Sequence, residues 1–140
     1  MSLYTQLQAA KSEEDVKDAY IKALGLKGYT KGLIDIQSRE IWFEAKDTDR
    51  NSSYAMFTQL LHYVQVALNK GEHVPPFLAV IDTEKAAIMK SADVLPFLAK
   101  KTIQWGKSAS QFTQEALDDI SAHIGTYFVS FRIKTHEDEF

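Results

Sequence analysis

Asp35, Glu44 and Lys46 are the residues of this sequence whose types and spacing suit chemistry. Glu44 and Lys46 stand two apart in Ile41-Trp42-Phe43-Glu44-Ala45-Lys46, an apolar and aromatic run that predicts a strand over 41–46. Side chains alternate across a strand, so Trp42, Glu44 and Lys46 share one face and Ile41, Phe43 and Ala45 the other. Asp35 lies among Leu33, Ile34 and Ile36, a segment that predicts a strand over 33–36. An unpaired carboxylate there is costly to bury and calls for a metal, a cation or an open cleft. Gln37-Ser38-Arg39-Glu40 make a tight connection, and hairpin pairing then brings Asp35 near Glu44 on one face. Two carboxylates and a lysine at the ends of adjacent strands suit phosphodiester hydrolysis. Hard oxygen ligands hold Mg2+, with Mn2+ as its substitute. Such an ion polarises a scissile phosphate and activates a water, and a neighbouring lysine offsets the charge that grows in the transition state.

The elements that must position these groups follow from periodicity. Ser12 is an N-cap, with Asp15 completing a weak capping box. Val16, Ala19, Tyr20, Ala23 and Leu24 then form one helix face, ended by Gly25 and Gly28. The polar stretch 47–53 is a loop. A long helix is expected over 53–69, with Phe57, Leu60, Leu61, Val64 and Leu68 as its apolar stripe. Phe77–Asp82 suits a buried strand, and Lys85–Lys90 returns beside it. A helix over 91–100 containing Pro96, a loop over 101–111, a helix over 112–124 and a last strand over 127–133 complete the chain. The order is that of a single α/β domain over 1–140, a mixed sheet with helical cover.

The Asp35-x8-Glu44-Ala45-Lys46 pattern resembles the active-site motif of the PD-(D/E)XK nucleases, whose acids bind the metal and whose lysine assists the nucleophile. Ile34 stands where that family most often has proline. The family core of helix, strand hairpin, helix and strand matches the reading over 12–82. The long helix adds Gln59-Leu60-Leu61-His62-Tyr63, similar to the Gln-x3-Tyr motif of the helicase-associated branch. Four residues apart, Gln59 and Tyr63 lie one above the other, at the flank of the apolar stripe. The family also often draws an acid from its first helix. Glu13, about 50° from the centre of the apolar face at ~100° per residue, is preferred over Glu14. The resemblance implies a restriction-endonuclease-like fold and Mg2+-dependent DNA cleavage. It is strongest to the N-terminal nuclease domains of restriction–modification polypeptides, which carry a DNA methyltransferase behind the nuclease; the 140 residues would then be such a domain, either part of a longer chain or standing alone. A free-standing junction resolvase or repair nuclease, and a catalytically idle protein-docking module, are the alternatives.

Composition sets bounds on these readings. The chain has 140 residues, 45% of them hydrophobic and 25% charged, as expected of one soluble globular domain. With no cysteine, disulfides, thiolate metal sites and cysteine nucleophiles are excluded; a reducing, cytoplasmic setting is expected. The N-terminus does not read as a signal peptide, and no stretch approaches the roughly 18 apolar residues of a membrane helix. The net charge is −3, against the basic balance of a dedicated DNA-binding module. Residues 1–107 are nearly neutral, with fourteen Lys/Arg against thirteen Asp/Glu, and the acid excess lies beyond them, ending in Glu137, Asp138 and Glu139. Weak intrinsic DNA affinity is expected, with target recognition residing in another domain or subunit. Gly106-Lys107-Ser108 spells the end of a P-loop, but Lys101 stands where the first glycine is required. No Ser/His/Asp triad follows from spacing; His62 has no paired acid at metal spacing and is expected at the surface or behind the site, His73 and His123 stand alone, and His136 with Glu137, Asp138 and Glu139 reads as a solvated acidic end rather than a weak metal site.

Overall fold

A computed structural model describes residues 2–125 and 127–136. The acidic run Glu137, Asp138 and Glu139 lies outside them. The elements in chain order are α1 (Leu3–Gln8), α2 (Glu13–Leu24), β1 (Ile36–Gln37), β2 (Ile41–Ala45), α3 (Ser53–Asn69), β3 (Phe77–Ile81), β4 (Lys85–Lys90), α4 (Leu95–Lys100), α5 (Gln114–Ile124), β5 (Phe128–Arg132) and α6 (Ile133–His136). The strands form one mixed sheet in the order β1-β2-β3-β4-β5. β2 and β3 are parallel, joined across α3, and the other neighbours are antiparallel. Among the described residues no helix is long and apolar enough to cross a membrane.

The alternation in β2 divides the molecule into two cores. Trp42 packs with Met56, Phe57, Leu60, Leu78 and Val80 beneath α3, α4 and α5. Phe43 and Ala45 pack with Leu7, Val16, Tyr20 and Ile81 beneath α1 and α2. The chain is therefore a three-layer α/β domain whose sheet is covered on both faces. That double cover explains why β3, Phe-Leu-Ala-Val-Ile, is continuously apolar and buried beyond Phe77. Phe57 is fully buried, and its removal is expected to cost about 3–5 kcal/mol.

Local chemistry explains the helix ends. Ser12 Oγ accepts the Asp15 N–H at 3.2 Å, and Asp15 Oδ2 accepts the Lys11 N–H at 2.9 Å, a capping box displaced by one residue. Gly25 closes α2 in the left-handed region at φ 62°, which favours glycine. Ser52 Oγ starts α3 by accepting the Ala55 N–H at 3.1 Å.

Several expectations shift. β1 is Ile36–Gln37 rather than 33–36, because Leu33 is exposed and Gly32 N–H turns back onto Ile34 O at 3.2 Å. Lys46 falls just past β2, although its N–H still donates to Ile81 O at 3.0 Å. The expected helix over 91–100 divides into a 3-10 turn, Ser91–Asp93, and α4, with Pro96 in the first turn of α4, where its missing N–H costs nothing. α5 starts at Gln114, since Thr113 caps it and Phe112 pairs with Gly106. Ile133 begins α6 rather than ending the last strand. α1 was not anticipated: Ser2 caps a single amphipathic turn and a half that buries only Leu3 and Leu7. The buried face of α2 takes in Lys17, while Ala23 is exposed.

Candidate active site

The β1–β2 ladder ends on the Ile36–Phe43 rung, and the next position on each strand is Asp35 and Glu44. N–H groups alternate across a strand. Lys46 N–H points toward β3, so Ala45 N–H points toward the β1 edge. No backbone carbonyl of β1 meets it there. Asp35 does instead: its Oδ2 accepts the Ala45 N–H at 2.8 Å. The carboxylate thus replaces a rung of the ladder, and this is how a residue outside any strand is fixed beside Glu44.

Glu44 is 5% exposed and shares its face with Trp42, on the α3 side of the sheet. Lys46 Nζ lies 3.3 Å from Glu44 Oε1 and donates to Gln59 Oε1 at 3.0 Å. Gln59, at the flank of the apolar stripe by helical angle, is itself buried at 6% exposure. Lys46, just past β2, bonds it, and Ile34, ahead of β1, joins the core beneath α3. Tyr63, one turn on, is half-buried; burial and the negative charges of Glu44 and Asp35 raise its phenol above the usual range.

The α2 side supplies the rest. Lys17 Nζ lies 3.6 Å from Asp35 Oδ1, 3.5 Å from Glu14 Oε2 and 3.9 Å from Glu13 Oε2. Glu13 faces the cluster: burial, then the charge of Asp35, raises its carboxyl. Glu14 faces outward and is lowered by its hydrogen bond to Lys31. The structure thus brings Asp35, Glu44, Lys46, Gln59 and Tyr63 to one end of the sheet, and Glu13 joins them through Lys17. Lys17 is the group that sequence reading passed over. Its signal is the i,i+4 spacing from Glu13, which sets both on one flank of α2.

Other titratable groups have structural occupations. Asp82, fully buried, accepts the Glu84 and Lys85 N–H groups at 2.8 Å each and closes the β3–β4 turn. His62 stacks between Tyr63 and Trp105, at 6.2 and 5.1 Å between ring centroids, which gives it a packing role. His123 stacks on Phe97 at 4.1 Å and bonds Asp93 O at 3.0 Å.

Burial, and next the charge of Asp35, push the Glu44 carboxyl up to about 8, although Lys46 pulls the other way. The two acids thus stand together in a buried setting, Asp35 beside Lys17 and Glu44 beside Lys46. Among the described residues no group of three or more His, Cys, Asp and Glu side chains is placed to hold an ion by itself. The Asp35–Glu44 pair suits a hard cation that keeps several waters and takes further oxygen from a substrate, which describes Mg2+ and Mn2+.

The chain matches no protein-family model, no curated protein and no solved structure.

Proposed function

We propose that this chain is a Mg2+-dependent deoxyribonuclease domain of the PD-(D/E)XK type. One observation carries the reading: Asp35, Glu44 and Lys46, set apart by spacing, meet Gln59 from a distant helix through the Lys46–Gln59 hydrogen bond. Asp35 and Glu44 would hold the cation. A divalent ion there supplies Lewis acidity toward a phosphodiester and a water of lowered pKa.

The protein's own groups do the remainder. Asp35 is aimed by the Ala45 N–H on Oδ2, so its other oxygen, Oδ1, beside Lys17, is pre-positioned. Lys46, anchored by Gln59, keeps an ammonium beside Glu44, where it orients an attacking water and offsets charge that develops on the phosphate. Tyr63 feels the charge of the same acids and would face the DNA backbone. Near-neutral charge over residues 1–107 leaves few phosphate contacts, which supports a cutting module whose DNA recognition, by a methyltransferase or another domain or subunit, lies elsewhere. A cytoplasmic location accords with this reading.

Nicking of supercoiled plasmid tests the proposal. Conversion with Mg2+ or Mn2+ that stops on chelation is expected. Conversion that persists in EDTA contradicts it.

A further inference from the structure

We infer that Lys17 is the internal counter-ion of the carboxylate site: its ammonium shares Asp35 with any incoming divalent cation and thereby limits how tightly that cation binds. The inference rests on the metal-binding reading of Asp35 and Glu44 and adds a residue that no motif assigns.

Lys17 is 8% exposed. An ammonium so buried has no route to a DNA phosphate outside, so it acts through its neighbours. Its ion-pair neighbours are all carboxylates: Asp35 at 3.6 Å, Glu14 at 3.5 Å and Glu13 at 3.9 Å. Lys46 attends the other acid, Glu44, at 3.3 Å. Each of the two central acids therefore has its own ammonium.

Orientation and charge can be separated here. Asp35 is already aimed by the Ala45 N–H at 2.8 Å, a true hydrogen bond, whereas the Lys17 contact at 3.6 Å is an ion pair only. What Lys17 adds is positive charge. A lysine cannot leave easily either, because a buried ammonium stripped of its carboxylates is strongly disfavoured. A divalent cation thus enters beside a fixed like charge, and repulsion in a partly buried site weakens its hold. Lys17 is a positioning residue in this sense, acting on the cation through Asp35.

Calorimetric titration with Mn2+ at a pH of about 8.5, where proton competition for the carboxylates is small, tests this. Lys17→Gln and Lys17→Met should bind Mn2+ more tightly than wild type, on the order of tenfold. Lys17→Arg, which keeps the charge, should bind as wild type does, and Asp35→Asn should lose binding. Unchanged or weaker binding in both neutral variants, beside normal binding by wild type, overturns the role of Lys17 alone. A wild-type chain that takes up no Mn2+ overturns the metal reading and this inference with it. Thermal melts give a second reading for variants that fold poorly. Mn2+ should raise Tm more in the neutral variants than in wild type, and an equal or smaller rise contradicts the inference.

Discussion

Lys46 Nζ donates to Gln59 Oε1 at 3.0 Å, tying the end of β2 to the middle of α3. Lys46 belongs to the strand motif and Gln59 to the helix motif, so one hydrogen bond joins the two halves of the sequence resemblance. Because Gln59 is buried, Gln59→Ala should be felt twice. Loss of the Lys46 acceptor should lower stability by about 1–2 kcal/mol in urea unfolding. Release of the ammonium should lower cleavage further, by up to ~10²-fold. Gln59→Glu, which keeps an acceptor at Oε1, should retain more activity than Gln59→Ala. Equal loss in both would show that the contact does not position Lys46.

Glu44 makes stability depend on pH in a defined direction. Its carboxyl sits at about 8 in the fold against 4.5 as the ordinary value, so the folded state holds a proton that the unfolded state releases. The associated stability is present below about 4.5 and is lost as pH rises through about 8. Glu44→Gln, which keeps the neutral shape, should match wild type in Tm near pH 4 and exceed it increasingly up to about pH 8. Thermal melts across that range check this; a Tm difference that does not change with pH would contradict it.

The same carboxyl couples metal uptake to protons. A cation binds the ionised form, so binding near pH 7 must release a proton from Glu44. Affinity for Mn2+ should rise from pH 7 to pH 8 and level off above it. Calorimetry in two buffers of different ionisation enthalpy should show uptake of the released proton by the buffer. Identical heats in the two buffers would exclude it.

Charge predicts how the isolated chain meets DNA. With residues 1–107 almost neutral, few phosphates are neutralised, and each contact adds about −0.9 to the salt slope. Binding of duplex DNA should fall on the order of 10⁻⁴ to 10⁻⁶ M, without sequence preference. Tight, sequence-selective binding in a titration of specific against random duplexes would show that recognition resides in this chain.

The α/β order and the long elements α2, α3, β3 and β4 were legible because their periodicity is clear, and for α2 the caps agree: Ser12 and Gly25 mark ends that local chemistry alone determines. Asp35 and Glu44 were legible as neighbours through hairpin geometry, but not the means. Asp35 lies ahead of β1 and is held by a backbone N–H, a tertiary substitution for a ladder bond that strand periodicity does not encode. Gln59 was legible as a flank residue but not as a buried one, because a helical wheel does not show the Lys46 side chain, from another part of the chain, whose hydrogen bond it accepts. Lys17 was missed for a related reason: a lysine on an amphipathic helix reads as solvated until the carboxylates that accept it are known to converge there.

The most direct test of the central claim is single-turnover cleavage of labelled DNA with Mn2+, comparing wild type with Asp35→Asn, Glu44→Gln and Lys46→Met after circular dichroism shows each variant folded. A domain that joins Asp35, Glu44 and Lys46 into one phosphodiester-cleaving site should lose at least ~10²-fold in rate with any of the three changes. Wild-type rates in all three folded variants would contradict it.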